Sequence, residues 1–439
     1  MSPKHGNNHR PAARPSVANM QHASGDGGSS ESTLMSRRRF LYGAVGVGAV
    51  AAIGIGAAAY SSQSDTSDSS VTGLDVPKRS LTTLNDFEAL ESTEGIIEQV
   101  GEYDLPYGTL VWANDEEVAA CLLPTESGSP LAQVGLLFLG SGTCDTVVKK
   151  AVGATDGFEI YDARANGKGL IWTEANILQG TWRIYATTIS SGAIGEPLML
   201  EEGDGTYETP TLAVSGSRAF WLVNPKSTEA DAPSARLMGA TFGKNDAAIV
   251  LESSRRMGTP PYAFNGTITV SPRIDSPSLY YQLTNIDIGT EEVRDTVTLP
   301  HAIAPIEAGY GDTGFFFSFP DIYDYDSAIS NLGTYTPREK PSDGNYDNAS
   351  WFNFTRTPSA PPAWCNGLFL VKSTYAVCGV NLKDGTYFTI DVEDGADSYG
   401  EYLASTDSNS TFVTYTNIDH IPVGAASIHT CRVKVWKVI

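Results

Sequence analysis

The sequence has few of the side chains that bind transition metals. Among its 439 residues are five cysteines and six histidines, and only His301, His420 and His429 lie beyond residue 60. No two of these three histidines have the spacing of a zinc-ligand pair. We therefore predict no zinc site.

The cysteines also lack a recognisable motif. None shows the close pairing of a zinc or haem site. Cys365 and Cys378 flank a hairpin-like stretch, which makes them the one pair to consider for a disulfide. The alternative is that all five cysteines, at positions 121, 144, 365, 378 and 431, are small core residues.

Positive charge is scarce. The chain has 29 Lys and Arg against 51 Asp and Glu, a net charge of −22. Such a surface repels phosphate backbones, which argues against nucleic acid as a partner. A cationic partner or a neutral ligand fits better, although acidity by itself also provides solubility outside the cell.

Catalytic and cofactor motifs are missing as well. The sequence has no Gly-x-Ser-x-Gly elbow and no phosphate-binding glycine-rich loop. Residues 321–326 and 391–397 each place several carboxylates within one turn, a composition that calcium can use. Neither segment has the spacing of a calcium-binding loop, which favours solvated acidic turns. We predict no bound cofactor.

A short motif near the N-terminus is the clearest signal in the chain. Ser36, Arg37, Arg38, Phe40 and Leu41 match the pattern Ser-Arg-Arg-x-Phe-Leu, and an uncharged apolar stretch follows at once. The segment resembles a twin-arginine export signal, which the translocation machinery for folded proteins reads. The resemblance implies an extracytoplasmic protein, either secreted or associated with the cell envelope.

The apolar stretch at residues 43–60 allows two outcomes. It is near the lower length limit for spanning a bilayer and consists mainly of glycine and alanine, so it would be a weak anchor. Three alanines at residues 57–59 suit a signal peptidase, which predicts cleavage after Ala59. Membrane attachment through residues 43–60 is the alternative.

Composition divides the chain into four parts. Residues 1–35 are rich in Pro, Ser, Asn and Gly, which predicts a disordered extension. Residues 36–60 are the signal or anchor, and the Ser-rich residues 61–73 are typical of a flexible linker. Residues 74–439 remain for one folded domain.

A repeated pattern runs through this domain. A short apolar strand recurs after a turn, and its starts are separated by 60, 49, 49, 47, 54 and 44 residues. Alternating strands follow within the units, and beyond residue 100 there is no convincing helical period. The seven apolar strands are residues 109–112, 169–172, 218–221, 267–270, 314–317, 368–371 and 412–415.

Repeats of this length with several antiparallel strands predict an all-β fold, a β-propeller of seven blades. The chain resembles exported propellers of the TolB-like and quinoprotein-like kinds in its period and strand pattern. The segment around residues 80–84 is expected to complete the last blade and close the ring. Because the fifth unit is irregular after Phe319, six blades with an insertion is one alternative, and a pair of β-sandwiches is another.

An aromatic-rich stretch between the fifth and sixth repeats is the candidate ligand-binding loop. Long loops inside a compact domain are often functional, and aromatic faces beside carboxylates can bind a sugar or a peptide. The alternative is that Trp351, Phe352 and Phe354 belong to the outer strands of a blade and pack in its core. The candidate ligand residues are Asp321, Tyr323, Asp324, Tyr325, Asp326, Tyr335, Tyr346 and Trp351.

Two functions fit these observations. The first is a non-catalytic exported propeller that binds a protein, small molecule or carbohydrate at the cell surface with its loop-bearing face. The second is an extracytoplasmic enzyme with its site on the central channel. It would be a redox protein with a cofactor, or a glycosidase or lyase with paired carboxylates among Asp162, Glu174 and Asp321.

The export signal gives the first prediction. Replacing Arg37 and Arg38 together by lysine should keep the protein in the cytoplasm, because the translocation machinery reads the arginine pair. Cell fractionation measures this, with Arg39→Lys, at the variable position of the motif, as the matched control. Unchanged export of the double variant would refute the assignment.

Overall fold

Seven antiparallel sheets follow one another along the chain and make a seven-bladed β-propeller. The structure is a computed structural model that describes residues 70–228, 231–319, 329, 333–421 and 427–439. Within these residues the chain forms strands and four short 3-10 turns, but no α-helix. The turns are Lys78–Ser80, Leu84–Asp86, Ala154–Asp156 and Tyr346–Asn348.

We number the sheets as blades 1 to 7 and give the strands of each from the innermost outwards. Blade 1 contains Leu110–Ala113, Val118–Pro124, Ala132–Phe138 and Cys144–Val148. Blade 2 contains Glu159–Asn166, Gly169–Asn176, Thr181–Ser190 and Leu198–Gly203, with the short Ala193–Ile194 beside the third strand. Blade 3 contains Thr211–Ser215, Arg218–Val223, Ala235–Thr241 and Ala248–Ser253.

The other blades follow the same order. Blade 4 contains Tyr262–Phe264, Thr267–Val270, Gln282–Asp287 and Val293–Thr298. Blade 5 contains Glu307–Gly311, Gly314–Phe319, Gly333–Pro337 and Trp351–Phe354, and blade 6 contains Ala363–Cys365, Leu368–Lys372, Val377–Asn381 and Thr386–Thr389. Blade 7 contains Tyr402–Leu403, Thr411–His420, Ile428–Val438 and, as its outermost strand, Ile97–Pro106.

The recurring apolar runs are second strands of blades, with one exception. Gly169–Asn176 and Gly314–Phe319 are buried along their whole length because other strands and blades cover them on every side. The run at 109–112 instead falls on the first strand of blade 1, and Val118–Pro124 is its true second strand. The long first interval in the repeat is therefore a shift of position within the blade.

The prediction that the segment around residues 80–84 closes the ring is wrong, because a different strand does so. Ile97–Pro106 pairs antiparallel with Ile428–Val438, so the N-terminal part of the domain supplies the outer strand of blade 7. Leu81–Thr83 pairs in parallel with Trp351–Phe354 of blade 5. Three residues bounded by 3-10 turns are too short to match the eleven-residue C-terminal strand, whereas the ten residues of Ile97–Pro106 match it.

The segment before the closing strand follows the outside of three blades. The N–H of Leu74 donates to Thr298 O of blade 4 at 2.7 Å. Leu81–Thr83 then covers the edge of blade 5, and Glu88–Ala89 pairs in parallel with Thr386–Thr389 of blade 6. These added strands occupy main-chain groups that would otherwise be open edges.

Apolar clusters lie between neighbouring blades and complete the ring. Val111 and Cys121 of blade 1 pack with Val413 and Val433 of blade 7 in one cluster, so the last blade contacts the first. Further clusters join blades 1 and 2, 2 and 3, 3 and 4, 4 to 6, and 6 and 7. The alternatives of six blades and of two sandwiches do not hold.

No disulfide supports the fold. All five cysteines are free. Cys365 lies on the first strand of blade 6 and packs toward blade 7, whereas Cys378 lies on the third strand and packs toward blade 5. The pair considered from the sequence therefore does not form, because the two side chains occupy opposite faces of one sheet.

The two faces of the ring differ in their connections. In an antiparallel blade the turns after the first and third strands lie at one end of the sheet, and the remaining connections lie at the other. We call the end that carries the turns between second and third strands and the connections between blades the loop-bearing face. At the opposite end of the ring, residues 404–410 lie across the central channel. Thr406 N–H donates to Ala113 O at 3.0 Å, and Asn265 N–H donates to the Asp407 carboxylate at 2.5 Å.

The corrected closure gives a prediction. Leu105→Ala in the closing strand should lower the free energy of unfolding by about 2–5 kcal/mol, because Leu105 is buried between blades 7 and 1. Leu81→Ala, at the half-buried edge of blade 5, should cost about 1 kcal/mol or less. Urea unfolding of both variants measures this, and equal or reversed costs would contradict the closure.

Candidate functional site

Some of the predicted ligand residues lie in the core, and the others lie outside the described residues. Asp321, Tyr323, Asp324, Tyr325 and Asp326 lie outside the described residues, as does the whole export motif. Tyr335, Tyr346 and Trp351 are buried in blade 5 and its third connection.

The buried aromatic residues support the core interpretation of this stretch. Trp351, Phe352 and Phe354 form the fourth strand of blade 5 and are buried. The Tyr346 hydroxyl donates to Asp295 Oδ2 of blade 4 at 2.7 Å, and the Tyr310 hydroxyl donates to the same oxygen at 2.8 Å. Burial and this carboxylate raise the pKa of both tyrosines. The pair ties blades 4 and 5 together.

The candidate acids of blade 2 also have structural partners. Glu174 is fully buried, and its carboxylate accepts hydrogen bonds from Val152 N–H at 2.6 Å, Gly153 N–H at 2.9 Å and Trp172 Nε1 at 3.0 Å. Asp162 pairs with Arg164, and burial raises its pKa. Glu174 therefore holds the connection from blade 1 to blade 2 in place.

A buried ion pair fixes the inner edge of blade 5. Arg356, between blades 5 and 6, contacts Glu307 Oε2 at 2.5 Å and donates to Thr334 Oγ1 at 2.8 Å. The Ser318 hydroxyl donates to the same Glu307 oxygen at 2.8 Å. Burial raises the pKa of Glu307, while the Arg356 charge opposes this. Ser318, Thr334 and the Ala360 carbonyl supply further hydrogen bonds to the pair, which help a buried ion pair to be tolerated, although Arg356 Nη1 has no partner among the described residues.

A second group of buried charges lies between blades 6 and 7. Lys372, at the end of the second strand of blade 6, is buried, and its ammonium donates to Tyr399 O at 2.6 Å. Burial lowers the pKa of Lys372 from 10.5 to about 8. Lys434 of blade 7 contacts Glu393 at 2.8 Å and lies 3.9 Å from Glu401.

Glu401 is the least satisfied charge of this group. Its side chain is 0% exposed, and Lys434, at 3.9 Å, is the one cation within ion-pair distance of its carboxylate among the described residues. Burial raises the pKa of Glu401, and the nearby Lys434 charge only partly opposes this. A buried carboxylate costs free energy unless it is paired, so the Lys434 ammonium at 3.9 Å is the contact that stabilises Glu401 in this position.

This group of buried charges is difficult to predict from the sequence. Lys372, Glu401 and Lys434 come from two blades and are far apart in the chain. One signal was available, because Lys372 ends an otherwise apolar run of the second strand of blade 6. A lysine at the end of an apolar run can equally well be a solvated residue at the end of a strand. The position of Lys372 in the fold is therefore needed to identify it as buried.

Exposed apolar side chains concentrate on the loop-bearing face. Leu178, at the turn between the second and third strands of blade 2, is 100% exposed. The exposed large apolar side chains of the described residues that do not belong to this face, Val100, Met199, Ile249, Val293 and Ile439, lie on outermost strands or at residue 439. The loop-bearing face carries Val152, Ile177, Leu178, Tyr375, Tyr399 and Ile421, all from blades 6, 7, 1 and 2 or their connections.

The same face is acidic beside blade 6. The connection from blade 6 to blade 7, residues 390–401, carries five acidic residues and no lysine or arginine. Glu393 is paired with Arg432 and Lys434, and the Asp397 carboxylate accepts a hydrogen bond from Tyr399 N–H at 2.8 Å. Among the described residues, no group of three or more His, Cys, Asp or Glu side chains is arranged to hold a metal ion.

Comparison with known proteins shows similarity of fold. No protein-family model matches the chain, and no curated protein matches it. A structure from a study of two prolyl endopeptidases is 8% identical over 74% of this chain and 46% of its own, with a TM-score of 0.45. The chain thus spans about half the length of that protein.

Two other solved structures are similar over nearly their whole length. BamB from Moraxella catarrhalis is 10% identical over 78% of this chain and 100% of its own, with a TM-score of 0.35. An oligogalacturonate lyase in complex with manganese is 8% identical over 79% and 98%, with a TM-score of 0.39. At this identity the similarity concerns the fold alone. No described helix has the length and apolar character needed to cross a bilayer.

The buried lysine gives a prediction on pH. Because the pKa of Lys372 is lowered to about 8 in the folded protein, the unfolded chain binds one more proton between about pH 8 and 10.5. The contribution of Lys372 to the unfolding free energy should therefore rise with pH across this range, and Lys372→Met should remove that rise.

Urea unfolding of both proteins at several pH values measures this difference. Lys383→Met, at an exposed turn of the same blade, is the matched control and should keep the wild-type profile. Identical pH profiles for the wild type and Lys372→Met would show that the Lys372 ammonium is not desolvated.

Proposed function

We propose that this protein is an exported, non-catalytic binding propeller that docks a partner protein on the loop-bearing face of blades 6, 7, 1 and 2. The observation that carries the proposal is the concentration of exposed apolar and tyrosine side chains on this face. Apolar side chains exposed together on one face of a protein are typical of an interaction site, and tyrosine is enriched in interface cores.

The projecting tip of blade 2 is held in place by hydrogen bonds. We define the blade 2 tip as Val152, Ile177 and Leu178. The Glu174 carboxylate holds Val152 N–H and Gly153 N–H, and Asn176 Nδ2 donates to Asp156 O at 3.1 Å, which joins the two loops of the tip. A tip that is already ordered loses little conformational entropy on binding, which favours affinity.

Charge supports a partner with basic character. The protein carries a net charge of −22, and the 390–401 connection, which includes the exposed Tyr399, has five acidic residues and no lysine or arginine. Complementary charge speeds the encounter of two proteins and suppresses wrong partners. A basic surface with apolar pockets is the chemistry that fits this face.

Location outside the cytoplasm is part of the proposal and rests on the twin-arginine motif at residues 36–41. The export route for folded proteins suits a closed ring, because the first and last parts of the domain must pair before the ring is complete. The enzymatic alternative has less support, since Asp162 and Glu174 are engaged in structural contacts.

Site-specific photocrosslinking in the producing cells tests the proposal. A crosslinking amino acid at position 178 should give one discrete protein adduct, because Leu178 is the most exposed apolar side chain of the face. Position 249, exposed on the outermost strand of blade 3, is the matched control and should not give that adduct. Absence of a discrete adduct at 178, or the same adduct from 249, would contradict the proposal.

A further inference from the structure

Two cysteine thiols meet on the side of blade 1 that packs toward blade 7. Cys121 lies on the second strand and is buried, whereas Cys144 begins the fourth strand and is half-buried. Gly135 of the third strand lies opposite Cys121, and a Cβ at Gly135 would be 3.1 Å from Cys144 Sγ. The missing side chain of Gly135 therefore leaves room for the two thiols, which form a hydrogen bond across the third strand.

The hydrogen bond makes the two thiols unequal. The Cys121 thiol donates to the sulfur of Cys144, and this contact lowers the pKa of Cys144 although its burial opposes the shift. The same contact, together with full burial, raises the pKa of Cys121. The thiolate is the form of cysteine that attacks disulfides, so Cys144 is the nucleophile of the pair.

The two cysteines are too far apart to form a disulfide with each other. Cys121 pairs with Gly135 on one side of the third strand, and Cys144 pairs with Leu137 on the other side. Their α-carbons are thus two strand spacings apart, about 10 Å, whereas a disulfide needs less than about 7 Å. The other three cysteines are buried. A disulfide partner for Cys144 must therefore come from outside the chain.

We propose that Cys144 is a site of reversible S-thiolation by small-molecule disulfides. After its proton has passed to water, the Cys144 thiolate attacks one sulfur of the small disulfide. A new S–S bond joins Cys144 to that half, the original S–S bond breaks, and the other half leaves as a thiolate that takes up a proton. Cys144 is oxidised and the leaving half is reduced, while Cys121 keeps its proton and acts as a positioning residue.

The position of Cys144 separates this modification from the docking of a partner. The preceding turn, residues 139–143, joins the third and fourth strands of blade 1 and so lies at the end opposite the loop-bearing face. The Tyr103 hydroxyl of the closing strand donates to Leu139 O at 2.6 Å, and the Tyr103 ring covers Gly142, where a Cβ would meet it. Cys144 thus follows a turn that is attached to the closing strand. The inference goes beyond the proposed function and does not depend on it.

Mass spectrometry of the purified, reduced protein after treatment with cystamine tests the site. Cystamine is a small disulfide with two ammonium groups, which suit a protein of net charge −22. The intact mass should show one cysteamine adduct per chain that reductant removes, and peptide mapping should place the adduct on Cys144. Cys144→Ser should lose the adduct.

Three further variants test the role of Cys121. Cys121→Ala removes the S–H donor, so the pKa of Cys144 should rise and the pH midpoint of the reaction rate should move upward. A tenfold loss of thiolate, partly offset by its higher nucleophilicity, would slow the reaction at neutral pH about threefold. Cys121→Ser keeps a hydroxyl donor and should restore most of the rate. Cys378→Ala, which removes a buried thiol from another blade, is the matched control and should react like the wild type.

No adduct on the folded wild type, similar rates at all five cysteines, or the same adduct on Cys144→Ser would overturn this inference. A mass that corresponds to an internal disulfide without an adduct would also overturn it. An unchanged pH profile in Cys121→Ala would refute the positioning role of Cys121. If the Cys121 variants fail to fold, the comparison of the wild type with Cys144→Ser still decides the site.

Discussion

The closure of the ring depends on one strand pairing that joins the two ends of the domain. Ile97–Pro106 and Ile428–Val438 form the outer half of blade 7 although they are far apart in the sequence. Each blade exposes apolar side chains that only its neighbours can cover, so the ring is stable as a whole and not blade by blade. The apolar cluster between blades 7 and 1 includes Leu105 of the closing strand, so the cluster is complete only when this pairing is present.

Closure has a consequence for the site. It fixes the outer strand against Arg432 and Lys434, which in turn pair with Glu393. Lys434 also lies 3.9 Å from Glu401. The charged group at the boundary of blades 6 and 7 therefore includes residues of the closing strand, such as Asp104. The geometry of the candidate site and the integrity of the ring are linked through these contacts.

The fold was largely predictable because its strongest signals are local. The second strands are buried throughout and read as continuous apolar runs, as Gly314–Phe319 shows, and the turn at Asp384 and Gly385 joins two strands as its residues indicate. The closing strand is not predicted because most residues of Ile97–Pro106 are polar or exposed and few are apolar and buried. Its pairing partner lies at the other end of the chain, so no local pattern identifies it.

The site was less predictable for a different reason. Aromatic residues serve both cores and binding surfaces, and the sequence cannot separate the two roles: Tyr335 and Trp351 are buried in blade 5, whereas Tyr375 and Tyr399 are exposed. Glu401 looks like one acid among several in an acidic connection. Only the fold reveals that it is buried and that Lys434 and Lys372 lie beside it.

Hydrogen exchange of the backbone amides in the closing strand tests the central claim most directly. If closure holds the ring together as one cooperative unit, the amides of Ile97–Pro106 that bond to Ile428–Val438 should exchange only through global unfolding. They should then exchange as slowly as the amides that join Thr411–His420 to the same C-terminal strand. Fast exchange of the closing strand while the other strands of blade 7 stay protected would contradict the account.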